Sequence, residues 1–161
     1  MPKFDRLFSY TSKFLHKDHN LYIGGFIMEN PGVMSLWRGN FRTKQSLKEY
    51  VEINFDKIGD RIQSKFMRDF NIDFIDYNQD LLESTLIENS TTSLTNLLNG
   101  SSYEAEILSQ FVEHYREELP ETYDSIIRLY DFGYDGEIDE VKFKSGNLIY
   151  MGSVVYEEWD E

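Results

Sequence analysis

The sequence predicts a single α+β domain, a mainly antiparallel sheet packed with three to four helices. Three observations predict it. Segments of helical and strand-like periodicity follow one another as helix, strand, helices, strands, helix, strands, not as repeated strand–helix units. The C-terminal part alternates like strands and contains a hairpin turn. No repeat or linker divides the 161 residues, a length that suits one domain.

Residues 4–16 place Phe4, Leu7, Phe8, Phe14 and Leu15 near helical spacing, which predicts an amphipathic helix. Asn30-Pro31-Gly32 marks a turn. Residues 33–37 then read as a strand. Thr43 can cap a helix running to about Phe55, with Leu47, Tyr50, Val51 and Phe55 on one face. Asp60-Arg61-Ile62-Gln63 resembles a capping box opening a helix with Ile62, Phe66, Met67 and Phe70, which stops at Asn71.

Ile72, Phe74 and Ile75 suggest a short strand. Residues 81–87 fit a second strand or a helix, since periodicity does not separate the two in short apolar runs. Residues 89–99 are loop-like, with room for a helical turn over 94–98. Ser101-Ser102-Tyr103-Glu104 matches a capping box, and the helix behind it carries Ile107, Leu108, Phe111, Val112, Tyr115 and Leu119 before Pro120 ends it. Residues 126–130 form a strand. Val141 and Phe143 alternate with lysines, Ser145-Gly146-Asn147 turns the chain, and residues 148–156 return as the partner strand.

The 12 Phe and 11 Tyr supply enough apolar surface for a core, so global disorder is not expected. With no Cys there is no disulfide, thiolate site or Cys nucleophile. No apolar run approaches the roughly 18 residues that span a bilayer. The start, MPKFDRLFSYTSKFLHKDHN, is charged throughout and does not read as a signal peptide. The expected location is therefore cytoplasmic.

Chemical signatures fail one by one. A lone Gly39 is not a phosphate loop, and Gly24-Gly25 opens no dinucleotide pattern. His16 and His19 flank Asp18, but the third histidine, His114, is distant, and no metal site is expected. Asp131, Asp135 and Glu137 invite comparison with a calcium loop, yet position 12 is Lys142 where a bidentate Glu is needed. Asp73, Asp76, Asp80 and Glu83, spaced 3, 4 and 3, would share a helix face and could bind magnesium, but read more simply as a solvated acidic rim. No catalytic residue and no cofactor is expected.

Charge is unevenly placed. The net is −13; residues 1–100 hold 13 acids and 12 bases, residues 101–161 hold 16 acids and 4 bases. The second field repels nucleic acid and attracts basic proteins. Tyr130, Phe132 and Tyr134 sit among Asp131, Asp135, Glu137 and Asp139, a composition suited to gripping a basic protein.

Several residues then form a recognisable set: Leu36, Trp37, Gly39 and Phe41; Tyr50; Phe66, Asp69, Ile72 and Asp73; and Asp76, Tyr77, Asp80 and Glu83. Over about residues 33–110 the chain resembles the immunity protein 22 family of bacterial polymorphic toxin systems; the resemblance leaves residues 1–32 as an N-terminal extension carrying the first helix and 33–161 as the immunity-type domain. The resemblance implies a cytosolic, non-catalytic antidote that binds a cognate toxin. The charge points to a basic toxin, of which a nuclease is the leading example, with no membrane or nucleic-acid partner. The expected contact residues are Asp76, Tyr77, Asp80, Glu83, Tyr130, Asp131, Phe132, Tyr134, Asp135, Glu137 and Asp139. Trp37 is expected to anchor the core and Gly39 to let the chain turn into the next helix. The competing readings are an acidic nucleic-acid mimic or adaptor on another basic protein, and a small hydrolase built on the four spaced carboxylates.

Overall fold

The computed structural model describes residues 28–158. The helix expected over 4–16 and the His16–His19 pair lie outside them. In chain order the elements are β1 (Glu29–Asn40), α1 (Lys44–Val51), β2 (Asn54–Phe55), β3 (Arg61–Ile62), α2 (Lys65–Asp69), two 3-10 turns (Phe74–Asp76 and Gln79–Leu81), β4 (Leu82–Ser93), α3 (Leu94–Leu98), α4 (Glu104–Tyr115), β5 (Glu118–Phe132), β6 (Glu140–Phe143) and β7 (Gly146–Val155). Five strands make one antiparallel sheet in the order β4-β5-β1-β7-β6, and β2 and β3 form a separate hairpin. The α+β class and the antiparallel sheet are as the sequence predicts.

Successive residues of a strand point to opposite faces, and here both faces are covered. Trp37, Ile127, Leu129, Leu148 and Tyr150 form one core with α1, α2 and Tyr134. Met34, Leu36, Ile126, Met151 and Val154 form the other with α3 and α4. Burial on both sides explains why β1 reads as a nearly continuous apolar run. Trp37 is fully buried, with Phe66, Phe70, Tyr134 and Tyr150 around it at ring-centroid distances of 4.9, 5.8, 5.5 and 5.3 Å.

Gly39 has a different role from the one expected. It lies inside β1, and a Cβ there would sit 2.2 Å from the Asn147 carbonyl oxygen, so glycine permits close approach of β7. The turn into α1 falls at Arg42, whose φ is 70°.

Several boundaries move because local hydrogen bonds compete with helix propensity. Thr43 caps α1 as expected, its hydroxyl accepting from the Ser46 amide, but the helix ends at Val51 and Phe55 is left exposed in β2. Asp60 opens no helix. The Asp56 carboxylate accepts from the Ile58 and Asp60 amides, tightening the β2–β3 turn, and α2 starts later under a Ser64 cap. Asp73 accepts from the Ile75 amide, giving a 3-10 turn where a strand was expected. Pro120 does not end α4, which stops at Tyr115; Leu119 and Pro120 belong to β5.

The capping box at Ser101 also fails to form. The Ser101 hydroxyl accepts from Arg128, Glu104 accepts from the Gly100 amide, and Tyr103 occupies the cap position in a left-handed conformation, φ 56°.

Candidate partner-binding site

At one end of the sheet, the start of β1, the Phe74–Asp76 turn and the last residues of β5 enclose a cleft of about 250 Å³. Glu29, Asp76 and Asp131 line it, Tyr130 forms part of a wall, and Ile75, 81% exposed, stands at the rim. Burial raises the Asp76 pKa, although the Met28 and Glu29 amides favour its charged form and oppose that shift.

Tyr130 joins the cleft to a cluster of three tyrosines. Tyr103 packs on Tyr156 at 4.7 Å and on Tyr130 at 6.4 Å, and Tyr130 meets Tyr156 edge-on at 5.1 Å. Asp131 accepts hydrogen bonds from the Tyr156 hydroxyl and the Gly32 amide, which ties the cluster to the start of β1.

Tyr103 is the outward member, 45% exposed. Its left-handed backbone is uncommon for a bulky residue and costs on the order of 1–2 kcal/mol. The nearby Glu157 carboxylate is the main cause of a raised Tyr103 pKa; desolvation, Asp131 and Glu106 act in the same direction. The phenol is therefore neutral, a hydrogen-bond donor and a flat ring in a negative field.

A half-buried network centred on the buried Arg128 supports the cluster from beneath. Arg128 is 3% exposed; it donates to Ser101 at 2.7 Å and Thr85 at 2.6 Å and lies 3.3 Å from Glu83. Glu83 accepts from the Ser102 amide and hydroxyl and from Tyr130, whose hydroxyl also donates to the Ser102 carbonyl. Burial opposes ionisation of Glu83, but Ser102, Arg128 and Tyr130 outweigh it and hold the carboxyl below its usual value. The loop that carries Tyr103 is thus fixed to β4 and β5.

The expected contact residues divide. Asp76, Tyr77, Tyr130, Asp131 and Phe132 converge on the cleft from two distant parts of the chain. Of these, Tyr77, Tyr130 and Phe132 are all buried, Tyr77 and Phe132 in one core and Tyr130 in the other. Tyr134 is buried against Trp37 and donates to the Ile138 carbonyl. Their rings support the surface and are not presented by it. Glu83 is engaged internally. Asp80 is exposed, as are Asp135 and Glu137; Asp139 is half-buried, and these last three lie on the loop between β5 and β6.

Tyr103 and Glu157 were missed by sequence reasoning. The capping-box pattern assigned Tyr103 to a helix turn; the signal that could have found it is the tyrosine-among-acids pattern that Tyr156 also shows.

The four carboxylates at spacing 3, 4 and 3 do not converge. Asp73 caps a turn, Asp76 faces the cleft and Glu83 faces Arg128. Among the described residues no group of three or more His, Asp or Glu side chains is placed to hold a metal. Two larger hollows, 420 and 610 Å³, have lysines in their linings, Lys44 and Lys48 in one and Lys142 and Lys144 in the other, and suit a basic partner poorly. No described helix is long and apolar enough to cross a membrane.

The family model described as immunity protein 22 matches residues 34–157, well beyond the stretch over which the sequence shows its resemblance. No curated protein and no solved structure matches the chain.

Proposed function

Because the chain belongs to the immunity protein 22 family, we propose that it neutralises a basic polypeptide toxin by binding it at the acid-and-tyrosine face. The observation that carries this reading is Tyr103: an exposed ring, held in a strained backbone, buttressed by Tyr130 and Tyr156 and surrounded by Glu157, Asp131 and Glu106. A flat ring in a negative field is a receptor for a lysine or arginine side chain, by cation–π contact and a neighbouring carboxylate together. Backbone strain of this kind persists where surrounding structure over-determines it. The Arg128–Glu83 network does so here.

The face works by blocking. An immunity protein needs no chemistry of its own, only a rigid surface that occupies the toxin. The acids speed encounter, and a few central anchors carry most of the affinity.

The immunity reading expects the gene immediately upstream to encode a large secreted protein with a C-terminal toxin domain, and the test is binding kinetics of the full chain against that domain. Tyr103→Ala is expected to weaken binding by about tenfold or more. The double reversal Glu106→Lys with Glu157→Lys is expected to slow association and flatten its salt dependence. An association rate indifferent to salt and to both changes would refute this placement. Slowing by reversal of Asp135 and Glu137 instead would move the contact to the loop after β5.

A further inference from the structure

The described residues expose five large apolar side chains: Phe55, Ile58, Ile62, Ile75 and Tyr103. Two of them belong to the face just described, Ile75 at the cleft rim and Tyr103 on the tyrosine cluster. The other three sit on the small β2–β3 hairpin, with Phe55 64%, Ile58 83% and Ile62 40% exposed. The hairpin is fastened beside the cleft. The Arg61 guanidinium lies 4.3 Å from the Phe74 ring centre, one residue from Ile75, and the Gln63 amide donates to the Ile72 carbonyl.

An isolated two-stranded hairpin is marginal in water. This one is held by its own turn. The Asp56 carboxylate accepts from the Ile58 and Asp60 amides at 2.9 Å each, the Asp56 amide donates to the Asp60 carbonyl, and the Gly59 amide donates to the Asp56 carbonyl. Gly59 adopts φ 91°, with open space where a Cβ would stand, so the glycine serves the turn and no neighbouring packing. The result is a preformed tip whose most exposed large apolar side chain is an isoleucine. Preorganisation of that kind lowers the entropic cost of binding.

We propose that the hairpin of residues 54–62 is an apolar knob that enters an apolar pocket on the toxin, beside the basic surface received by the acidic face. This rests on the reading of that face as the toxin-binding surface. Asp56 and Asp60 balance Lys57 and Arg61, so the hairpin is neutral and adds nothing to electrostatic steering. Its contribution is to residence time, the acids' contribution to encounter. A second copy of this chain is a poor occupant, since pairing at this end would bring Glu29, Asp76 and Asp131 against their own counterparts.

Ile58→Ser separates the two contributions, because Ile58 is too exposed to support the fold. With the toxin domain encoded by the adjacent gene as probe, Ile58→Ser in the full chain is expected to weaken binding about tenfold through faster dissociation. Association rate, its salt dependence and the melting temperature are expected to stay at the parent values. If Ile58→Ser binds like the parent while Glu106→Lys with Glu157→Lys slows association, the knob is refuted and the acidic face stands. If the parent itself fails to bind that domain, both fall. A parent dimer in solution that Ile58→Ser dissociates would also overturn the proposal, by making the hairpin a self-contact.

Discussion

Removal of Glu83 tests how the candidate site is held in place. Glu83→Ala deletes the acceptor for the Ser102 amide and hydroxyl and one of two acceptors for Tyr130. It also leaves the Arg128 guanidinium, with a side chain 4% exposed, without its charge partner. Stranding one member of a fully buried pair costs about 3–5 kcal/mol. The Glu83 side chain is 34% exposed, so water already shares the interaction and the expectation falls to about 2–4 kcal/mol. For a chain of this size that is a drop in melting temperature of roughly 4–16 °C. Arg128→Met should cost less, because the carboxylate left behind can hydrate. The double variant should be no less stable than Glu83→Ala alone, with a coupling of about 1–3 kcal/mol. Urea denaturation of the parent, both single variants and the double variant closes the cycle. Effects that add to within about 0.5 kcal/mol would refute the network as the support of the Tyr103 loop. Lost toxin binding with unchanged stability would instead make Glu83 a contact residue.

Other outcomes follow from single residues. Trp37→Ala is expected to cost about 3–5 kcal/mol, read by chemical denaturation, and a melting shift of under about 2 °C would show the ring to be dispensable. Trp37→Phe should cost much less, because the buried indole N–H has no hydrogen-bond partner among the described residues and its removal relieves a penalty of about 1–3 kcal/mol; equal costs for the two variants would refute this. The Glu83 carboxyl lies below its ordinary 4.5, so its stabilisation is complete above that value and is lost as pH falls through the folded value. The stability gap between the parent and Glu83→Gln should therefore narrow in acid, and a gap that widens would contradict it. Asp76 has the opposite sign: its raised pKa gives stability at low pH that is lost as pH rises through the folded value. Asp76→Asn should accordingly be neutral or stabilising at neutral pH and lose that advantage in acid, as measured by the same denaturation series.

Much of the fold was legible where the determining physics is local. The Thr43 cap, the stop at Asn71 and the turn before β7 depend on residues within a few positions of one another, and all appear, the last at residues 144–145 with Gly146 and Asn147 already in the strand. The burial of Trp37 follows from its bulk within an apolar run. The concentration of acids and tyrosines in the C-terminal part was equally plain. Local reading failed where another part of the chain claimed a side chain: Arg128 takes the Ser101 hydroxyl, so the capping box does not close and Tyr103 takes the left-handed cap.

What the amino-acid sequence determined by itself is a single antiparallel α+β domain whose C-terminal part concentrates acids and tyrosines, with no pattern for catalysis. Only the tertiary structure decided which of those residues are exposed and which are buried. Alternation along β5 sends side chains to opposite faces, and because helices cover both faces, the pattern does not distinguish the buried Phe132 from a presented ring. The cleft itself unites Asp76 with Asp131, and the cluster unites Tyr103 with Tyr156, across separations of roughly fifty residues. Those meetings are fixed by strand pairing and by the Arg128–Glu83 contact, which depend on the folding of the whole chain and not on the spacing of residues within any one segment.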